Sequence, residues 1–171
     1  MTNESTPNRN RILVSAGSTH GSTTEIAERI AAVLAARGHD VDTAAPDQIG
    51  DLSDYQVVVL GSAVYAGHWV PSAKELAERI AGLDSNPLTW IFSSGPVGDP
   101  PKPEEDPVDV ALISRDHRVF SGKIDKSKLS FGEKAIVVAF RAPDGDFRDW
   151  NEIESWANEI ADRLVKEVSD R

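Results

Sequence analysis

The chain has 171 residues, 40% of them apolar and 27% charged, with a formal net charge of −10. That mixture suits one globular domain with a real core, and so acidic a balance argues against nucleic acid as a general partner, because it repels phosphate backbones. There is no cysteine, which excludes disulfides, iron–sulfur clusters and thiol chemistry, so any redox activity needs a bound organic cofactor. No apolar run approaches the length that spans a bilayer, and Met1 to Asn10 contain no hydrophobic signal segment. A cytoplasmic protein without a transmembrane segment is the expectation, with peripheral membrane contact left open.

Taken in order, residues 1–10 are polar and aperiodic and read as a disordered tail, and residues 11–168 as a single domain. Arg11 to Ala16 is near-continuously apolar, as a strand covered on both faces should be. The run Ala16-Gly17-Ser18-Thr19-His20-Gly21-Ser22-Thr23-Thr24 follows it. From Thr24 to Arg37 the residues Ile26, Ala27, Ile30, Val33 and Leu34 recur at helical spacing, and Gly38 ends the helix. The run between them is therefore a turn at a helix start, where free backbone N–H groups gather at the positive end of the helix beside several hydroxyls.

Such a turn binds phosphate. Its glycine spacing fits neither a Walker loop nor the G-x-G-x-x-G dinucleotide turn, and it contains no Lys or Arg. Neutral donors alone suit the monophosphate of a bound cofactor better than a triphosphate in transfer. The competing reading is a polar loop whose hydroxyls only cap the following helix.

Asp40 to Ala44 reads as a short strand and Pro46 to Asp54 as a connection. Tyr55 to Gly61 is β-branched and apolar and should be a central parallel strand, with Ser62 to Trp69 leaving its carboxyl end as a loop. Pro71 fits the first turn of a helix whose apolar face is Ala73, Leu76, Ala77, Ile80 and Leu83. Leu88 to Phe92 is the fourth strand, opening into the Gly/Pro turn Ser93 to Asp99. Val110 to Ser114 reads as a short helix ending near Arg115-Asp116-His117-Arg118, and Val119-Phe120 as the last strand. Residues 131–142 fit helix or strand and are assigned as helix. Asp149, with Glu152 three residues on, begins the final helix, whose stripe is Ile153, Trp156, Ala157, Ile160, Leu164 and Val168. Between Arg115 and Lys134 six cations stand against three carboxylates, which inverts the sign of an otherwise acidic chain. These residues form either a docking surface for an anion or scattered surface pairs.

The run Gly17-Ser18-Thr19-His20-Gly21-Ser22-Thr23 resembles the phosphate loop of the flavodoxin family. The resemblance extends over residues 11–168 and implies an α/β three-layer sandwich with a five-stranded parallel sheet of order 2-1-3-4-5. It also implies FMN. The phosphate would lie on Ser18, Thr19, His20, Gly21, Ser22 and Thr23. The second loop, Ala63, Val64, Tyr65, Ala66, Gly67 and His68, would supply an aromatic for the isoalloxazine, with Tyr65 the best match and Trp69 next. The third, Ser94, Gly95, Pro96 and Val97, would meet the pyrimidine edge through main-chain groups. Chemistry at the flavin itself requires no catalytic acid–base pair and no metal.

Gly61-Ser62-Ala63-Val64-Tyr65-Ala66-Gly67-His68 and Gly145-Asp146-Phe147-Arg148-Asp149-Trp150 resemble the branch containing menaquinone-dependent protoporphyrinogen dehydrogenase. That implies an FMN-dependent oxidoreductase passing electrons from an anionic, porphyrinogen-like substrate to a quinone. The alternative is a flavodoxin electron carrier between redox partner proteins. A flavodoxin-like interaction domain without FMN is a third reading, disfavoured by the intact loop glycines and hydroxyls.

Overall fold

The computed structural model describes residues 9–65, 67–95, 114–128, 130–132, 134–135 and 145–169. Their elements are β1 (Arg11–Gly17), α1 (Ser22–Ala36), β2 (Asp40–Thr43), β3 (Val57–Tyr65), β4 (His68–Trp69), α2 (Pro71–Ala81), β5 (Leu88–Ser94), β6 (Ser114–Phe120), β7 (Lys123–Ile124), β8 (Gly145–Asp146) and α3 (Trp150–Ser169). Five parallel strands lie in the order β2-β1-β3-β5-β6, which is the expected arrangement, and β4 adds an antiparallel pairing to β3.

Both faces of the sheet are covered because its central strands are apolar on both sides. Ile12, Val14, Val57, Val59, Trp90 and Phe92 pack under α1 and α3, while Leu13, Val58, Leu60 and Ile91 pack under α2. Alternation along a strand sends neighbouring residues to opposite faces, so an unbroken apolar run fills both cores at once. The α1/α3 side holds the large rings: Phe92, Phe120 and Trp156 meet with centroids 5.6–6.0 Å apart. Gly61 makes room for them, since a Cβ there would lie 2.0 Å from the Phe92 ring.

Three expectations change. The stretch from Ser62 to Tyr65 is not loop but the end of β3, and Gly67 turns the chain back so that Val64 pairs with Trp69 and Tyr65 with His68. Ser93 and Ser94 likewise extend β5. Small and polar residues look like loop in a sequence, yet here parallel neighbours satisfy their backbone: Ser62 pairs with Ser93 and Ala63 with Ser94. Ser114 opens β6 rather than closing a helix, and the Arg115 to Arg118 cluster lies within that edge strand. Residues 110–113 lie outside the described residues, as do 136–142 of the ambiguous segment, whose residues 131–132 and 134–135 are helical.

Asp149 caps α3 as its position suggests, its Oδ1 accepting the N–H groups of Asn151 and Glu152 at 3.0 and 3.1 Å. Among the described residues no helix is long and apolar enough to cross a membrane.

Candidate functional site

The register of the sheet brings the three expected loops to one edge. Gly17 pairs with Ser62, Ala63 with Ser94, and Ser94 with Phe120, so β1, β5 and β6 end within one residue of the same level and β3 runs on past them to Tyr65. Ligands of open α/β sheets bind outside these carboxyl ends.

At the end of β1 the chain turns through Ser18 to Gly21. Gly21 has φ 87°, a left-handed conformation that favours glycine, and α1 starts at Ser22 without a side-chain cap. Ser18 Oγ accepts the Gly21 N–H at 3.0 Å, and the first intrahelical bond runs from Glu25 N–H to Gly21 at 3.1 Å. The N–H groups of Ser22, Thr23 and Thr24 therefore precede the helical ladder and remain for an outside acceptor. The capping alternative is met only within the loop, at Ser18. Thr19 is exposed, Ser18, His20 and Ser22 are half-buried, and Thr23 is buried.

The second loop is a hairpin tip standing on a polar brace. Ser62 Oγ accepts the Val70 N–H at 3.0 Å, fixing the hairpin to the start of α2. Trp69 is 3% exposed and its indole N–H donates to Ser93 Oγ at 2.9 Å, while Ser93 Oγ also lies 2.9 Å from His117 Nε2. Burial lowers the His117 pKa, against the opposing charge of Asp116. Trp69 is thus a core brace and not a surface ring open to a ligand. Tyr65 is 38% exposed at the rim, with its ring edge-on to His20 at 6.3 Å. Loops one and two meet at that pair. Ala63 is buried in β3, Val64 is half-buried, and Gly67 and His68 are exposed. Ala66 lies outside the described residues.

The third loop begins at Ser94, which is buried, and Gly95, which has φ 125°. A Cβ at Gly95 would stand 3.2 Å from the Val64 carbonyl oxygen, and one at Gly122 would stand 2.6 Å from Gly95 Cα. Backbone packs on backbone here: Gly95 fits against Val64 and Gly122 against Gly95, contacts that a side chain at either glycine would crowd. Pro96 and Val97 lie outside the described residues.

Several site residues were not expected from the sequence. Gly122 closes on Gly95, and the Phe147 N–H donates to the Gly122 carbonyl at 3.1 Å. Arg148 reaches the phosphate loop from 126 residues away, donating to the Ser22 carbonyl at 3.1 Å and to the Glu25 carboxylate. Hydrogen bonds from Arg148 hold the Asp146 pKa below the usual carboxylate range. The only signal in the sequence for Asp146, Phe147 and Arg148 was their place in the run from Gly145 to Trp150, and Gly122 had none. The basic segment divides: Arg115 pairs with Glu167, and Arg118 with Asp116 and Glu159, while Lys123 and Lys128 are exposed.

These residues fit FMN. The uncapped start of α1 offers donors for a phosphate at the carboxyl edge of the sheet. Ser94 Oγ is buried with no hydrogen-bond partner among the described residues, a costly state unless a ligand supplies one.

Comparison with known proteins agrees with this geometry. The family model described as "Flavodoxin domain" matches residues 13–151. A search of the curated proteins returned no match. Among solved structures, a short-chain flavodoxin associated with a PDU bacterial microcompartment is 14% identical with a TM-score of 0.62, covering 92% of this chain and 98% of that one. The flavodoxin of Streptococcus pneumoniae TIGR4 is 17% identical with a TM-score of 0.58, covering 90% and 99%. Rubredoxin oxygen:oxidoreductase of Desulfovibrio gigas is 15% identical with a TM-score of 0.59 over 93% of this chain, which spans only 37% of that protein's length. At these identities the structural likeness speaks for the fold, and the family match, which covers most of the sequence, establishes that the chain belongs to the flavodoxin-domain family.

Proposed function

We propose that this chain is an FMN-dependent redox protein that exchanges electrons at the rim formed by the Tyr65 hairpin and the Gly95 loop. FMN supplies one- or two-electron transfer when bound, and the protein's task is to hold it and shape its surroundings. One observation carries the reading: three separate chain segments converge at one sheet edge, with His20 against Tyr65 and Gly95 between Val64 and Gly122.

Within that reading, two partners follow from the residues. The electron-carrier version is supported by the exposed hairpin rim, by the acidic chain, which suits docking on basic proteins, and by the two Arg of the basic segment being engaged in ion pairs. The enzyme version, in which a porphyrinogen-like substrate reduces the flavin and a quinone reoxidises it, is supported by the sequence likeness of Gly61 to His68. Lys123 and Lys128 would then receive substrate carboxylates or anionic lipid.

An absorption spectrum of the purified chain followed by anaerobic mixing with protoporphyrinogen and a menaquinone analogue separates these versions. Flavin bands with quinone-dependent turnover would support the enzyme. Flavin bands with no turnover, but rapid reduction by a flavodoxin reductase, would support the carrier. If rates with the true partner fall as salt rises, the variant combining Lys123→Gln and Lys128→Gln should reproduce that fall at low salt with FMN content unchanged. Unchanged rates would leave both lysines as ordinary surface.

A further inference from the structure

The phosphate loop has no cation of its own, yet a guanidinium stands directly behind it. The Arg148 side chain is only 4% exposed. Its Nε and Nη2 donate to the two oxygens of Asp146 at 2.8 and 2.7 Å, and its Nη1 donates to the Ser22 carbonyl at 3.1 Å and to Glu25. Four of its five N–H donors are thereby used, so little remains with which to grip a ligand directly. Its face lies 4.6 Å from the centroid of Trp150, whose ring also meets Arg29 at 4.8 Å.

What this arrangement controls is the first turn of α1. Ser22 is the first residue of the helix, and its N–H is among those that precede the ladder. Glu25 is the acidic residue of the same turn, where an unpaired carboxylate would compete with a phosphate dianion for the positive end of the helix.

We propose that Arg148 is a positioning residue of the phosphate subsite: it fixes the backbone at Ser22 and neutralises Glu25, so that a phosphate can be held by a loop made only of neutral donors. The proposal rests on the FMN reading. It assigns the segment before α3 to the cofactor site, although that segment holds none of the three loops.

Riboflavin, which has the same ring and ribityl chain without the phosphate, separates this role from a structural one. The chain freed of flavin is titrated with FMN and with riboflavin, with a thermal melt of each variant. Arg148→Ala should weaken FMN by about tenfold while riboflavin changes by less than about twofold, because only the phosphate senses the charge freed at Glu25 and Asp146. Adding Glu25→Gln to Arg148→Ala should restore part of the FMN affinity, and no recovery would overturn the role given to Glu25. Equal loss of both flavins, or an unchanged FMN affinity, would overturn the proposal. Should Arg148→Ala not fold, Arg148→Lys carries the test, since one ammonium cannot serve Asp146, Ser22 and Glu25 together. It should weaken FMN several-fold and spare riboflavin, and equal effects on both would again overturn the role. A wild-type chain that bound neither flavin would overturn the cofactor reading itself and this proposal with it.

Discussion

β1 and β6 are parallel strands of one sheet, and they are held by opposite means. β1 lies inside, between β2 and β3, with Ile12, Leu13 and Val14 at most 1% exposed. β6 lies at the edge and reads Ser-Arg-Asp-His-Arg-Val-Phe, with only Phe120 fully buried. Its order comes from partners: Asp116 accepts the Trp156 indole N–H at 2.9 Å on the α3 side, and His117 meets Ser93 on the other. Burial alone would raise the Asp116 pKa, but the hydrogen bonds from Trp156 and Arg118 outweigh it and leave the carboxyl below its ordinary value. A central strand carries its fold in its own side chains. An edge strand carries it in what packs against it.

If that contrast is right, the largest break in β6 should come from a residue outside it. Trp156→Ala removes the ring that touches Phe92 and Phe120 and leaves Asp116 without its indole donor. A loss of about 3–5 kcal/mol is expected, read as the urea midpoint of unfolding. Ser93→Ala should cost less, about 1–3 kcal/mol, by stripping the shared partner from Trp69 and His117. The same variant should loosen the hairpin that carries Tyr65.

The brace also has a pH signature. With His117 lowered by burial, the unfolded chain binds more protons as pH falls below about 6.5, so this contribution is full above that value and is lost as pH falls toward the folded pKa. His39, lowered by burial and by Arg37, acts in the same direction. A His117→Gln variant should therefore lose less stability than wild type between about pH 7 and 5, measured by denaturant midpoints, and an identical slope would show that His117 does not feel its burial. The smallest effect belongs to the surface. Arg118 and Glu159 are 37% and 50% exposed, so Glu159→Gln should change stability by only about 0.2–1 kcal/mol. A larger loss would mean that the edge depends on its outer ion pairs rather than on Trp156.

The same contrast explains what could be read from the sequence. The strand, turn and helix of residues 11–37 were legible because local patterning dictates them: an apolar run, a turn rich in Gly and hydroxyls, and a 3.6-residue repeat. The order of the parallel strands came with the flavodoxin resemblance and not from local patterning. The ends of β3 and β5 were not legible, because Ser62, Ala63, Ser93 and Ser94 have no strand-like composition and are strand only through their neighbours. Val119 and Phe120 were read as strand, but the start of β6, from Ser114 to Arg118, was missed for the same reason. In the site, Tyr65 and Gly95 stood out by type and position, whereas Trp69 was separable from Tyr65 only once its N–H was seen on Ser93. Arg148 stood in the quoted run from Gly145 to Trp150, but its role was not legible because its contacts with Ser22 and Glu25 span more than 120 residues, their separations being 126 and 123.

The most direct test of the account is the fluorescence of FMN titrated with the flavin-free chain. Saturation at a single FMN per chain, with strong quenching that Tyr65→Ala partly relieves and Trp69→Phe does not, is the expected result. FMN fluorescence that stays at its free value through an excess of chain would contradict the cofactor site itself.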